Sequence, residues 1–122
     1  MQNKKLAFYK DVIQIVYQVC RMIFNAQPYE ISKVFGISSE QMEGVVRDIV
    51  DAIPDRIFSD ANSQGLEEIK SICAREFIFF QVQEKWDDPR YQDDLRTFIA
   101  IFTRDIEKCV TTSDNQIDIR QE

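Results

Sequence analysis

The fold is decided by residues 6–24, which read LAFYKDVIQIVYQVCRMIF. A set of polar residues steps by three or four positions along this stretch and just past it: Lys10, Gln14, Gln18, Arg21 and Asn25. On a helix they form one narrow stripe, and nearly all of the remaining circumference is apolar. Such a helix is covered on several sides. We therefore predict a central hydrophobic first helix over about residues 4–26, which ends before Pro28.

The composition predicts an all-α protein. The chain has 122 residues, enough for one domain with a real core, and only three glycines and three prolines to interrupt helices. We predict a single-domain bundle of about five helices over residues 1–110, because several further segments show helical periodicity. Residues 111–122 are polar and are predicted to form a disordered C-terminal tail.

A short corner is predicted at residues 28–53. Pro28 suits the start of a brief helix that Gly36 ends in a left-handed conformation. Ser38 then opens a third helix, with Gln41 as its capping-box partner. Apolar residues follow at the spacing of one helical face, and these are Met42, Val45, Val46, Ile49, Val50 and Ile53.

The second half of the chain reads as a connection and two helices. Residues 55–65 are rich in turn-forming residues, with Ile57 and Phe58 as apolar anchors. A fourth helix is predicted over about residues 66–86. Asp88 then caps a fifth helix that starts at Pro89 and ends near Val110.

The corner resembles the helix-turn-helix of DNA-binding transcriptional regulators. The apolar positions of that motif are filled by Ile31, Phe35, Ile37, Met42 and Val45, with glycine in the turn. Ser32 departs from the small apolar residue that is usual there. The resemblance implies that helix 39–53 reads base edges through Ser39, Gln41 and Arg47. The alternative is a structural αα-corner, which the same geometry satisfies.

Electrostatics disfavour nucleic acid as a partner. The outward face of the third helix would carry Glu40, Glu43 and Asp48 beside Arg47. Acids on that face repel phosphates, and the whole chain has a net charge of −6. DNA binding is therefore the alternative and not the leading prediction.

The residues do not form a recognisable catalytic, metal or cofactor site. The chain has no histidine, and its three glycines are isolated, so no phosphate-binding loop is formed. Four acids at residues 87–94 read as a helix cap and its first turn. We predict no enzyme activity, no metal and no cofactor.

The cysteines point to a reducing compartment. Cys20, Cys73 and Cys109 are far apart and lie in apolar helical contexts, which is typical of buried thiols. No apolar run is long enough to span a membrane, and no signal peptide is visible. We predict a cytoplasmic or nuclear protein that does not bind membranes.

The remaining signal is a surplus of large apolar residues. The chain has nine Phe, four Tyr and one Trp, and two helices are apolar on more than one face. We predict a protein–protein interaction module, an adaptor or regulatory subunit, that binds another protein or a second copy of itself. The predicted partner-binding residues lie off the core stripes and are Phe8, Ile15, Tyr17, Phe79, Val82 and Trp86.

Overall fold

The protein is an all-α bundle, as predicted. A computed structural model describes the backbone of residues 3–84 and 86–121, and the side chains of residues 4–59, 61–62, 64–84 and 86–108. This part of the chain forms no β-strand, and a short 3₁₀ turn at Pro28–Glu30 precedes the second helix. The α-helices are α1 (Asn3–Phe24), α2 (Ile31–Phe35), α3 (Ser39–Asp51), α4 (Asp55–Asp60), α5 (Ser63–Gln83) and α6 (Tyr91–Gln121).

α1 is the long first helix that its polar stripe predicts. It ends at Phe24 and not at residue 26, because Asn25 adopts a left-handed conformation with φ of 52°. The backbone N–H of Ala26 then donates to the carbonyl of Cys20 at 3.2 Å. Val12, Val16 and Cys20 are fully buried, which confirms that α1 is central.

The corner between α2 and α3 is built from the predicted residues. Gly36 ends α2 in a left-handed conformation with φ of 71°. The hydroxyl of Ser38 accepts from the Gln41 N–H at 3.1 Å, and the Gln41 side chain accepts from the Ser38 N–H at 2.8 Å. All six apolar residues predicted for the inner face of α3 and its end are buried. The capping box and the stripe are therefore confirmed.

α4 is a helix that the sequence does not reveal. Its six residues, DRIFSD, are too few to show a helical period, so they read as part of a connection. Ile57 and Phe58 are buried, as predicted for anchors. The bundle therefore has one more helix within the described residues than predicted.

The last two helices differ from prediction at their ends. α5 begins at Ser63, because the Asn62 side chain accepts from the Gly65 N–H at 2.7 Å. α6 begins at Tyr91 and not at Pro89, since Asp88 instead accepts from the N–H of Arg90 at 2.8 Å within a turn. The α6 backbone continues past Val110 to Gln121, and no Pro or Gly in that segment interrupts it. The division into a domain at 1–110 and a tail at 111–122 stays a prediction.

Three pairwise packings set the architecture. α1 runs parallel to α5, since the Lys70 ammonium lies 2.7 Å from the Asp11 carboxylate and the starts of both helices line one cleft. α1 runs antiparallel to α3, with Lys5 near Asp51 and Tyr9 near Arg47. α6 packs antiparallel on α5, where the ring of Phe80 stacks on that of Phe98 at 4.8 Å between centroids. α5 therefore lies between α1 and α6.

A buried polar network joins α2, α5 and α6. Gln81 on α5 is 1% exposed, and its amide nitrogen donates to the Phe35 carbonyl at 3.2 Å. The Tyr91 hydroxyl donates to the Gln81 oxygen at 2.5 Å. Gln81 stands four residues after Phe77, on the core stripe of α5. The network therefore fixes the inner side of the C-terminal end of α5.

Candidate interaction surface

The predicted partner-binding residues do not form one surface. Phe8 is in the core, with 3% of its surface exposed, and its ring meets that of Phe58 edge-to-face at 5.1 Å. The prediction that Phe8 is open to a partner is therefore wrong. Its side chain points to α5 and α4, which the periodicity of α1 alone does not reveal.

Three of the other predicted residues are half-buried. Ile15 and Tyr17 on α1 pack against the core, and so does Trp86, which follows α5. The Trp86 ring lies 4.8 Å from the Tyr91 ring, between centroids. These side chains help to hold the bundle, so a partner would reach only their edges.

Phe79 and Val82 are open to solvent. Phe79 is 63% exposed and Val82 is 50% exposed, although both lie on a helix that is buried on two sides. They occupy the face of α5 that neither α1 nor α6 covers. Of the residues predicted to bind a partner, these two are the ones that a partner can bury most.

A cleft opens between α5 and α6 beside Phe79. It has a volume of about 140 Å³ and is lined by Ile72, Glu76, Phe98, Ile101, Phe102, Asp105 and Ile106. Ile72, Glu76 and Phe79 are spaced by four and three residues, so they share one face of α5. On α6 the facing row is Phe98, Ile101 and Asp105. We call these six residues the α5–α6 surface.

Of the six residues of this surface only Phe79 is predicted from the sequence, and Ile101 is the exposed apolar residue among the other five. It is 52% exposed, although it is a large aliphatic residue in the middle of a helix. Its signal in the sequence is that it lies off the α6 core stripe, between Phe98 and Phe102. Ile101 and Phe79 therefore place exposed apolar area on both of the helices that form the cleft.

The cleft is acidic as well as apolar. Glu76 comes from α5 and Asp105 from α6, and no lysine or arginine is among the described residues that line it. Neither carboxylate is ion-paired within the part of the chain whose side chains are described. The surface therefore combines apolar contact area with two unpaired negative charges.

A second group of exposed apolar residues lies at the end of α1. Met22, Ile23 and Phe24 form its last turn, and Tyr29 follows shortly after with 83% exposure. The sequence analysis assigned this turn to a covered helix. The last turn extends beyond the core, which explains why the same apolar pattern is buried earlier in α1 and open here.

The residues of the DNA-binding alternative are each partly buried or engaged in contacts within the chain. Ser39 is half-buried, the Gln41 side chain closes the capping box, and the Arg47 guanidinium lies 5.9 Å from the Tyr9 ring centroid. Burial and the neighbouring Asp51 raise the pKa of Asp48, next to Arg47. DNA binding by α3 stays a prediction, and the charges around Arg47 are unfavourable for it.

The thiols are placed for packing and not for reactivity. Cys20 and Cys73 are free and buried, as predicted, whereas the side chain of Cys109 lies outside the described residues. Burial raises the pKa of Cys20 to about 11 and raises that of Cys73 further. Both therefore stay protonated near neutral pH, which is unfavourable for nucleophilic chemistry.

The described residues show neither a metal-binding cluster nor a membrane-spanning helix. No group of three or more His, Cys, Asp or Glu side chains in that part of the chain is arranged to hold a metal ion. Among the same residues, no helix has both the length and the apolar character that a membrane crossing requires. Comparisons of the whole chain with protein-family models, with curated proteins and with solved structures find no match.

Proposed function

We propose that this chain is a non-catalytic protein–protein interaction module, an adaptor or regulatory subunit, that binds its partner through the α5–α6 surface. The observation that carries the proposal is the exposure of Phe79 and Ile101, at 63% and 52%, on the two helices that flank one cleft. Large apolar side chains grouped on a surface are typical of binding sites. Aromatic residues beside a pocket are the usual anchors of an interface.

Two further observations support parts of the proposal. The non-catalytic part is supported by the absence of histidine from the sequence and by the buried, protonated thiols of Cys20 and Cys73. The same free thiols support a reducing location in the cytoplasm or nucleus. Phe79 and Ile101 contribute little to the core, so a role in binding gives these apolar residues a reason to be on the surface.

The experiment is site-specific photocrosslinking in cells that express the protein. A photoreactive phenylalanine analogue replaces Phe79 in one variant and Tyr29 in the matched control, because Tyr29 is more exposed than Phe79 but lies outside α5 and α6. We expect a discrete covalent adduct from position 79 and none from position 29. Adding Ile101→Ser to the position-79 variant should abolish that adduct.

We expect these variants to keep the fold, so that a lost adduct reports on binding. Phe79 and Ile101 are more than half exposed, so their replacement removes little buried area. Trp86→Ala is a poorer probe, since the Trp86 ring packs against Tyr91. Equal adducts at positions 79 and 29, or an adduct that survives Ile101→Ser, would contradict the proposal.

A further inference from the structure

We infer that the partner presents an amphipathic helix with an apolar anchor residue flanked by lysine or arginine. The inference rests on the proposed function, and it names the chemistry of the partner that fits the α5–α6 surface. It follows from the shape of the cleft, from its charge and from the recognition modes that the described residues permit.

The shape of the cleft fits a side chain and not a whole peptide. Its volume of about 140 Å³ is several times the roughly 30 Å³ that one water molecule occupies in the liquid. One large apolar side chain can therefore enter between Ile72, Phe98 and Ile101. The exposed ring of Phe79 lies two turns after Ile72 on the same face of α5 and can cover a second apolar residue of the partner.

The backbone of the surface favours a helix as the partner's conformation. The described residues form no β-strand, so they offer no sheet edge to which an extended peptide could add a strand. The surface is the seam between two antiparallel helices, and a third helix packs into such a seam by placing its side chains between the two rows. Apolar residues at i, i+3 or i+4, and i+7 would follow the cleft.

The charge of the cleft selects a basic helix over a second copy of this chain. A symmetric dimer through this face would bring Glu76 and Asp105 against the same acids of the other copy. Like charges in contact are unfavourable, whereas lysine or arginine within one turn of the anchor would pair with them. Both carboxylates are unpaired within the described residues, so they are available for this role.

The test uses three synthetic peptides of about 18 residues, long enough to form an isolated helix. The first has leucines at i, i+3, i+4 and i+7 with flanking lysines, the second has glutamates in place of the lysines, and the third is a scrambled form of the first. Each carries a fluorophore, and its anisotropy is measured with increasing amounts of the full chain. We expect the lysine peptide to bind at least about tenfold more tightly than the other two at low salt, and the difference to shrink as salt screens the charges.

Two double variants distinguish the effect of the cleft acids on peptide preference from the effect of the net charge of the chain. Glu76→Gln with Asp105→Asn should reduce the preference for the lysine peptide over the glutamate peptide by about three- to tenfold, as expected for two exposed ion pairs. The matched control, Glu68→Gln with Asp48→Asn, removes the same charge from exposed acids outside the cleft. The control should keep the full preference.

Three results with the peptides would overturn the inference. They are equal binding of the lysine and scrambled peptides, an equal loss in both double variants, and no binding of any peptide. A photoadduct at position 79 together with no peptide binding would reject the basic helix while leaving the interaction module in place. A concentration-dependent dimer in sedimentation, abolished by Ile101→Ser, would instead identify a second copy as the occupant and overturn the basic helix.

Discussion

α1 and α5 are both apolar on more than one face, yet they differ in how much of that apolar surface is buried. α1 lies against α3 on one side and α5 on another, so its side chains from Phe8 to Cys20 that face inward are buried. α5 lies between α1 and α6, and its third face stays open, with Phe79 and Val82 exposed. The two helices have similar sequences in this respect, but the neighbours of α5 leave one of its faces uncovered.

The difference shows what helical periodicity can and cannot determine. The spacing of apolar residues fixes which side chains share a face of a helix. It does not state which other element covers that face, because coverage depends on the arrangement of the whole bundle. An apolar excess on a covered helix stabilises the fold, and the same excess on a partly open helix is available to a partner.

The largest effect that tests this comparison comes from two phenylalanines that the sequence assigned to one surface. Phe8→Ala should reduce the free energy of unfolding by about 3–5 kcal/mol, since it removes a ring from the core. Phe79→Ala should change it by less than about 0.5 kcal/mol, because its ring is mostly in water. Urea denaturation of both variants measures the two effects.

These two variants use the same chemical change on two helices, so each is the control of the other. A loss for Phe79→Ala close to that for Phe8→Ala would mean that Phe79 is covered within the fold. The contrast between α1 and α5 would then be wrong.

Gln81 and Val82 are neighbours on α5 that show the same contrast between a buried and an exposed side chain. Val82 faces solvent, whereas Gln81 is buried and accepts a hydrogen bond from the Tyr91 hydroxyl at 2.5 Å. Tyr91→Phe should therefore destabilise the protein by about 1–3 kcal/mol, because the buried Gln81 oxygen loses its donor. Val82→Ser, measured in the same denaturation experiment, should have a much smaller effect. A neutral Tyr91→Phe would show that this end of α5 is not fixed by the network.

Gly36 and Gly44 test the backbone conformation of the α2–α3 corner without a change in side-chain packing. A Cβ added to Gly36 or Gly44 would meet no atom within 4 Å, so space is equally open at both. Gly36 has φ of 71°, and Gly36→Ala should destabilise the protein by about 1–2 kcal/mol through backbone strain. Gly44 is inside helix α3, where Gly44→Ala should stabilise it by about 0.5–1 kcal/mol. Thermal denaturation of both variants measures the sign of each change in stability. Changes of the same sign would contradict the assigned backbone conformations.

The last effect is a pH dependence at the inner side of α5. Burial, with a contribution from Glu84, raises the pKa of Tyr91 from 10.0 to about 12. The unfolded chain therefore loses this proton first, so the contribution of Tyr91 is complete below pH 10 and is lost as the pH rises toward about 12. The difference in stability between the wild-type protein and Tyr91→Phe should shrink over this range. A difference that stays constant in urea denaturation at each pH would contradict the burial of the hydroxyl.

Local signals in the sequence were sufficient for the α2–α3 corner. The Gly36 cap, the Ser38–Gln41 capping box and the inner face of α3 depend on residues within a few positions of one another, and all are confirmed. α4 was missed because its six residues are held by Ile57 and Phe58 in the core and not by a visible period. The first residue of α6 was missed because Asp88 caps a turn.

The candidate surface could be predicted only in part. Phe79 and Val82 lie off the core stripe of α5, and that is a local property. Phe8 was misassigned and Ile101 was missed because burial at those positions depends on neighbours distant in sequence. That Glu76 and Asp105 line the same cleft likewise could not be predicted, because it depends on α5 and α6 packing side by side.

The most direct test of the account measures which side chains are open before and after a basic helix binds. A soluble paramagnetic probe broadens the NMR signals of exposed groups, and the lysine peptide described above serves as the ligand. We expect strong broadening of Phe79 and Ile101 in the free chain, and protection of both when the peptide is added. Tyr29 should stay broadened and Phe8 should stay protected throughout. Protection of Phe79 in the free chain, or protection of Tyr29 in place of the α5–α6 surface on peptide binding, would contradict it.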